Sequence, residues 1–375
     1  MNKTSAPAVE KPVELQGKID RLAAASTAVA EKNFTIFFYT PDVKPTTSGA
    51  IIELYQLAAT FRRAGYDAVM ITEEKEYEVP VYLDEDLQAL PHKASIGLTV
   101  KPEDMLIIPE YFTSVIAKTS KMPCTRVVLV QGYDNSLATM IPGNTWNSLG
   151  IRHVWTMSQP LSTFVREVIG GNYALQTLRI GIPAYFKPVP VKDPIIAVQV
   201  RNALDLQKIS SEFYLRYPEL RWVGFEPLTA LGRTRREYAH LLAKASVVLW
   251  VDRIAAFGQT AVEAMATQTP MVALLPDHDP EYYTDSNAVW VDRLPHVATR
   301  LGQLFKLQLE SGLPEWLTPA MAETAAAYTP ERAEQTALSV LDNTLKLRTA
   351  ELSDLILQYK GKLDALNTPT PKTAR

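Results

Sequence analysis

Short apolar runs, rich in β-branched and aromatic residues, alternate along this chain with stretches of helical spacing, and prolines interrupt the alternation once. The first set of runs comprises Phe34 to Tyr39, Asp67 to Thr72, Met105 to Pro109, Arg126 to Gln131, Arg152 to Met157 and Leu178 to Gly181. Between the first two, Ile51, Leu54, Leu57, Ala58 and Phe61 mark one face of a helix that should close at Gly65, where glycine tolerates the left-handed conformation of a C-cap. Alternation of this kind predicts a parallel sheet covered by helices on both faces. The prolines at 183, 188, 190 and 194 stiffen a connection and end regular structure, so the domain boundary is expected there. The pattern then restarts with Ile195 to Val200, Leu220 to Gly224, Val247 to Val251 and Met271 to Leu275, and is helical from Leu294 almost to Leu366.

The expected organisation is a tail and amphipathic helix over 1–32, carrying Val13, Leu15, Ile19, Leu22 and Ala23, followed by α/β domains over 33–187 and 188–345 and a helix with a polar tail over 346–375. Each central span is of ordinary domain size. The interval from Glu73 to Asp104 is rich in carboxylates and reads as a solvated insertion. Trp222, Trp250 and Trp290 sit in or beside apolar runs and read as core.

Charge and cysteine usage narrow the function classes. Lys and Arg number 38 against 41 Asp and Glu, a formal charge of -3 with the signs interspersed, which is not the footprint of a nucleic-acid binder. A lone Cys124 forbids an intramolecular disulfide and a cysteine-based zinc site. No apolar stretch reaches the ~18 residues of a membrane span. A cytoplasmic protein is expected, with peripheral membrane contact left open.

The segment Ala256 to Ala266 follows an apolar run and carries the clearest chemistry. Gly258 at a helix start lets backbone approach a ligand closely, and the first-turn N–H groups of Gln259 and Thr260, with the helix dipole, favour an anion such as a diphosphate. Glu263 lies one turn further in, placed to accept hydrogen bonds from sugar hydroxyls. The plain alternative is an ordinary helix with a solvated glutamate. In the first domain, Glu110 and Asp134 stand at carboxyl ends of strands, where open parallel sheets place ligands, and Glu110 is the candidate catalytic carboxylate there. The run Arg233 to Arg236 reads as a solvated helix start, and His278, amid Asp277 and Asp279, as a residue bordering a cleft.

The order of these segments resembles the family 4 retaining glycosyltransferases. Phe257-Gly258 with Glu263-Ala264-Met265-Ala266 is similar to that family's donor-nucleotide motif. Ser48-Gly49-Ala50 and the helix to Gly65 are similar to its first glycine loop, Trp155 to Ser158 to its strand ending in serine, and Gly181-Ile182-Pro183 with Phe186 and Pro188 to its interdomain link. Ile195 to Arg201 followed by Lys208 resembles the strand, arginine and lysine that grip the diphosphate.

The resemblance implies a GT-B fold, two Rossmann-like doubly wound domains facing a cleft with a helical C-terminal segment. It implies transfer of a sugar from a nucleotide-diphosphate donor to an acceptor hydroxyl on a glycan, lipid-linked or protein acceptor, with retention and without a metal or other cofactor. Arg201 and Lys208 would then stabilise the leaving diphosphate, and Gly49, Gly258, Gln259, Thr260 and Glu263 would contact the donor. Departures accompany the match. Ala255 stands where the family has its first glutamate, with Asp252 the nearest carboxylate, and Ser48 and Gln268 replace family glycines. A catalytically silent GT-B protein acting as a binding or scaffolding subunit is therefore the alternative, the terminal helices offering a means of oligomerisation. A sugar-nucleotide epimerase is a third reading, lacking an organised carboxylate set.

Overall fold

The computed structural model describes residues 11–41, 49–73, 77–140, 145–229 and 233–367. Ser48, Glu74 and Glu76 lie outside these residues. Helix α1 (Pro12–Ala30) comes first and buries Leu15, Ile19, Ala25 and Val29, whereas Val13 is exposed. The first sheet then forms from β1 (Thr35–Tyr39), β2 (Asp67–Thr72), β3 (His92–Ala94), β4 (Met105–Pro109), β5 (Thr125–Val130), β6 (His153–Thr156) and β7 (Ala174–Thr177), in the spatial order β3-β2-β1-β4-β5-β6-β7. Helices α2 (Gly49–Arg63), α3 (Glu85–Gln88), α4 (Thr113–Lys118), α5 (Tyr133–Thr139) and α6 (Gln159–Phe164) join these strands. Every neighbouring pair is parallel.

The second sheet contains β8 (Asp193–Val200), β9 (Gly224–Pro227), β10 (Ala245–Val251), β11 (Met271–Leu274) and β12 (Val289–Val291), in the order β12-β11-β10-β8-β9, again all parallel. Its helices are α7 (Ala203–Arg216), α8 (Arg235–Lys244), α9 (Gln259–Ala266) and α10 (Leu294–Glu310), followed by α11 (Leu317–Ala326) and the long α12 (Pro330–Asn367). In each sheet the strand order reverses once, between β1 and β4 and between β8 and β10. Those two switch points carry the crevices.

One buried cluster runs from the first sheet through Ile180, Ile182 and Phe186 of the connection to Trp250, Ala261 and Met265 of the second domain. The other face of the second sheet has its own core around Ile196, Phe213, Val247 and Phe305. Helix α12 runs unbroken across residue 345 and lies on the first domain: Thr344 accepts hydrogen bonds from Trp155 (3.0 Å) and Gln176 (2.8 Å), and Arg348 donates to the carbonyl of Pro123 (2.8 Å). The far half of α12 pairs with α1, where Lys18 sits over Tyr359.

Several expectations are corrected. Leu178 to Gly181 is not a strand; Leu178 and Ile180 are buried in the interdomain connection, and β7 ends just before them. Leu220 and Val223 are buried in a tight turn on the domain core, so β9 starts only at Gly224. The segment after Glu73 is not a solvated insertion: it supplies edge strand β3 and buries Tyr82, Leu83, Leu87 and Leu90. Trp222 is 57% exposed, resting edge-on against Phe305, and is not core.

Candidate active-site cleft

The carboxyl ends of both sheets open onto one cleft of about 1070 Å³. From the second domain, β8 delivers Arg201, whose backbone N–H continues the ladder by donating to the carbonyl of Val251 (3.0 Å). The Arg201 guanidinium is held on Asp252 at the end of β10 by two parallel hydrogen bonds, 2.8 and 3.1 Å. Asp252 therefore orients Arg201 and does not stand in for the carboxylate missing at Ala255, which lines the cleft as a buried methyl group.

Gly258 caps α9 with φ of 76°, a left-handed conformation that favours glycine. A Cβ there would run into the ring of Trp250 and stand 2.7 Å from the Tyr282 hydroxyl, which donates to the Gly258 carbonyl (2.9 Å). The opposite wall is Gly49, first residue of α2. Its Cβ, were there one, would lie 2.9 Å from Oε1 of Gln259. The N-termini of α2 and α9, from different domains, thus meet at one spot, and both dipoles present their positive ends there. Thr260 completes this corner, its hydroxyl 3.1 Å from that of Tyr238.

Glu263 sits deeper and is 1% exposed. It is not a solvated glutamate: it forms an ion pair with Arg235 of α8, itself 7% exposed. Burial pushes the Glu263 carboxyl upward against the opposing pull of Arg235. The Arg235 guanidinium also lies over the rings of Phe186 (4.8 Å) and Tyr238 (5.1 Å), and its backbone N–H donates to the carbonyl of Tyr82 in the first domain (3.0 Å). The arginine run expected to be solvated is thus largely engaged, with Arg233 on Glu226 and Arg236 over Tyr185. Glu53 of α2 faces this pair, its carboxyl raised to about 8 by burial and by the charge of Glu263, with Arg235 opposing.

The remaining candidates divide. Glu110 is fully buried below the cleft floor, where it accepts a hydrogen bond from the Gln131 N–H (3.1 Å) and lies next to Gly132. Burial raises it to about 7, hydrogen bonds from Gln131 and its neighbours opposing. It shapes the β5–α5 turn and is not among the cleft-lining residues, whereas Tyr111, Tyr133 and Asp134 are. Lys208 points outward on the exposed side of α7, away from the cleft lining. His278 does border the interdomain gap, stacked on Tyr133 at 4.0 Å. Among the described residues, no three His, Cys, Asp or Glu side chains come together in a metal-binding group. Sequence reasoning missed Arg235 and Glu53. Their proximity to Glu263 arises from contacts across the fold that no local pattern announces.

Two facing doubly wound domains with a C-terminal helix returning to the first define the GT-B fold. The chain is similar to a glycosyltransferase from Rickettsia africae ESF-5, with a TM-score of 0.57 at 12% identity over 84% of this chain and 99% of that one. It is similar to Anabaena Alr3699/HepE in complex with UDP-glucose, at a TM-score of 0.56 and 15% identity over 82% and 99% of the two chains. It also resembles the pneumococcal O-GlcNAc transferase GtfA in complex with UDP and GlcNAc, at 0.57 and 8% over 82% and 99%. No protein-family model and no curated protein matches the sequence.

Proposed function

We propose that this protein is a retaining glycosyltransferase of the hexosyltransferase type, moving a sugar from a nucleotide-diphosphate donor to an acceptor hydroxyl. The observation that carries this reading is the meeting of the α2 and α9 N-termini, at Gly49 and Gln259, inside a cleft that also holds Arg201. Two helix dipoles and one guanidinium make a preorganised seat for a diphosphate. The nearby GT-B structures crystallised with UDP or UDP-glucose support the same ligand class.

In the reaction, the bond between the sugar C1 and the diphosphate oxygen breaks, the acceptor oxygen bonds to C1 on the same face, and the acceptor proton passes to the leaving phosphate oxygen. Negative charge grows on the diphosphate as the sugar becomes oxocarbenium-like. Arg201, fixed by Asp252, and the first turn of α9 would stabilise that charge in this reading, without a metal. Tyr111, Tyr133 and Asp134 border the first-domain side, which receives the acceptor. Lys208 has no part in this mechanism, and Glu110 acts by holding the Gln131 turn.

The test is release of nucleoside diphosphate from a panel of UDP-, GDP- and ADP-hexoses with simple glycoside and lipid-linked acceptors. NMR of the product anomer then reads the stereochemistry. Turnover with an α-linked product from an α-linked donor is expected. Binding without turnover across the panel would favour the silent scaffold, and an inverted product would overturn retention.

A further inference from the structure

Between β11 and β12 the chain returns to the first domain before it reaches the edge of its own sheet. His278 of this loop stacks on Tyr133 of α5 at 4.0 Å. Glu281 accepts the backbone N–H of Gln159, the first residue of α6, on one carboxylate oxygen (2.8 Å) and the Tyr328 hydroxyl on the other (3.0 Å). Tyr282, the next residue, is 4% exposed and reaches back into the second domain. Its hydroxyl donates to the Gly258 carbonyl (2.9 Å), and its ring packs edge-on against Phe257 at 5.3 Å.

Two adjacent side chains thus tie the cap of α9 to α6. The residue after that cap, Gln259, meets Gly49 of α2, so the first domain holds the start of α9 at two points, directly through α2 and indirectly through Glu281 and Tyr282. A diphosphate seated between the α2 and α9 N-termini takes donors from both domains. Its affinity therefore depends on how far the two termini are held together before it arrives, because ordering them on binding costs free energy. A carboxylate on a backbone N–H is a charge-assisted bond, stronger than a neutral one, and suits such a tie.

We propose that Glu281 is a positioning residue for the diphosphate seat: it acts through Tyr282 and Gly258 to hold the α9 N-terminus against α2. Neither Glu281 nor Tyr282 is among the cleft-lining residues, so both act without touching the ligand. The inference rests on the reading of the cleft as a nucleoside-diphosphate site. Linkage gives it a direction: losing the tie lowers diphosphate affinity, and a bound diphosphate strengthens the tie. A residue that only stabilised its own loop would lower the thermal midpoint and leave the affinity of the folded protein unchanged.

The experiment is titration calorimetry of the full chain with UDP, GDP and ADP. It compares the parent with Glu281→Ala, Glu281→Gln, Tyr282→Phe and the double variant Glu281→Ala with Tyr282→Phe, each first checked for folding by circular dichroism. For a nucleotide that the parent binds, the expected loss is roughly tenfold in Glu281→Ala and about threefold in Tyr282→Phe, the effects of one charge-assisted and one neutral hydrogen bond. Glu281→Gln keeps one acceptor oxygen and should fall between the parent and Glu281→Ala. Because both residues act along one path, the double variant should lose about tenfold, not the roughly thirtyfold of independent effects. Arg201→Ala, which acts from the end of β8, should add its full effect to that of Glu281→Ala. Unchanged affinity in Glu281→Ala, or additive losses in the double variant, overturns the proposal and leaves the reading of the cleft intact. A parent that binds none of the three nucleotides overturns both.

Discussion

The guanidinium of Arg235 and the carboxylate of Glu263 pair at the base of the cleft with 7% and 1% of their side chains exposed. A buried pair stripped of one partner leaves an uncompensated charge, which typically costs ~3–5 kcal/mol. Arg235→Ala should therefore lower unfolding stability by that order in urea titrations, and Arg235→Met with Glu263→Leu should restore most of it. Glu263→Ala should also weaken nucleotide binding, because the residue lines the cleft and its loss leaves Arg235 unpaired there. A single Arg235→Ala variant as stable as the parent would contradict this account of the pair.

Two left-handed positions flank α9 and give opposite signs. Gly258→Ala adds a Cβ against the Trp250 ring at φ of 76°, and should cost at least ~1–2 kcal/mol and reduce nucleotide affinity. Gln268, at φ of 50°, closes the same helix, with its own N–H on the Met265 carbonyl and that of Thr269 on the Ala264 carbonyl. That is a Schellman arrangement in which glycine is preferred. Gln268→Gly should raise stability by about 0.5–1 kcal/mol, read from thermal unfolding.

Arg201 is 59% exposed, and its pair with Asp252 contributes little to folding. Arg201→Ala should leave unfolding unchanged while lowering kcat by roughly a hundredfold, about 3 kcal/mol of transition-state stabilisation. Asp252→Asn keeps the guanidinium but loosens its orientation, so its loss of kcat should fall between the parent and Arg201→Ala. Normal turnover by Arg201→Ala would remove it from the mechanism.

Glu53 and Glu110 impose a pH dependence with a definite sign. Their carboxyls sit at about 8 and about 7 in the folded protein against an ordinary 4.5. The folded state thus binds more protons than the unfolded state above pH 4.5, and stability falls as pH rises. The contribution is complete below about 4.5 and is lost by about 7 for Glu110 and about 8 for Glu53. Urea midpoints measured from pH 5 to pH 8 should decline less steeply in Glu53→Gln than in the parent. Parallel pH profiles would show that Glu53 is not held neutral.

The sequence was legible wherever burial was continuous. Strands β1, β4, β5, β10 and β11 lie inside their sheets, are buried along nearly their whole length, and match the expected runs to within about two residues. The misplaced or missed strands β3, β7, β9 and β12 are the four sheet edges, where exposed and half-buried residues dilute the apolar pattern. The same division holds at the site. Gly258 announces itself because a left-handed cap packed against the Trp250 ring favours glycine, whereas Arg235 looked like a surface cation because its partner Glu263 is 28 positions away. Lys208 was implied by the resemblance alone, which carries no information about the face of α7, and the structure leaves it exposed and outside the cleft lining.

The most direct test of the central claim is calorimetric titration of UDP, GDP and ADP into the parent protein and into Gly49→Val and Arg201→Ala. Gln259 yields to a small side chain at position 49, but a branched one fills the seat between the two helix N-termini. The account predicts one-to-one binding of at least one nucleoside diphosphate, weakened at least tenfold in both variants. No binding of any of the three, or equal affinity in parent and variants, would contradict it.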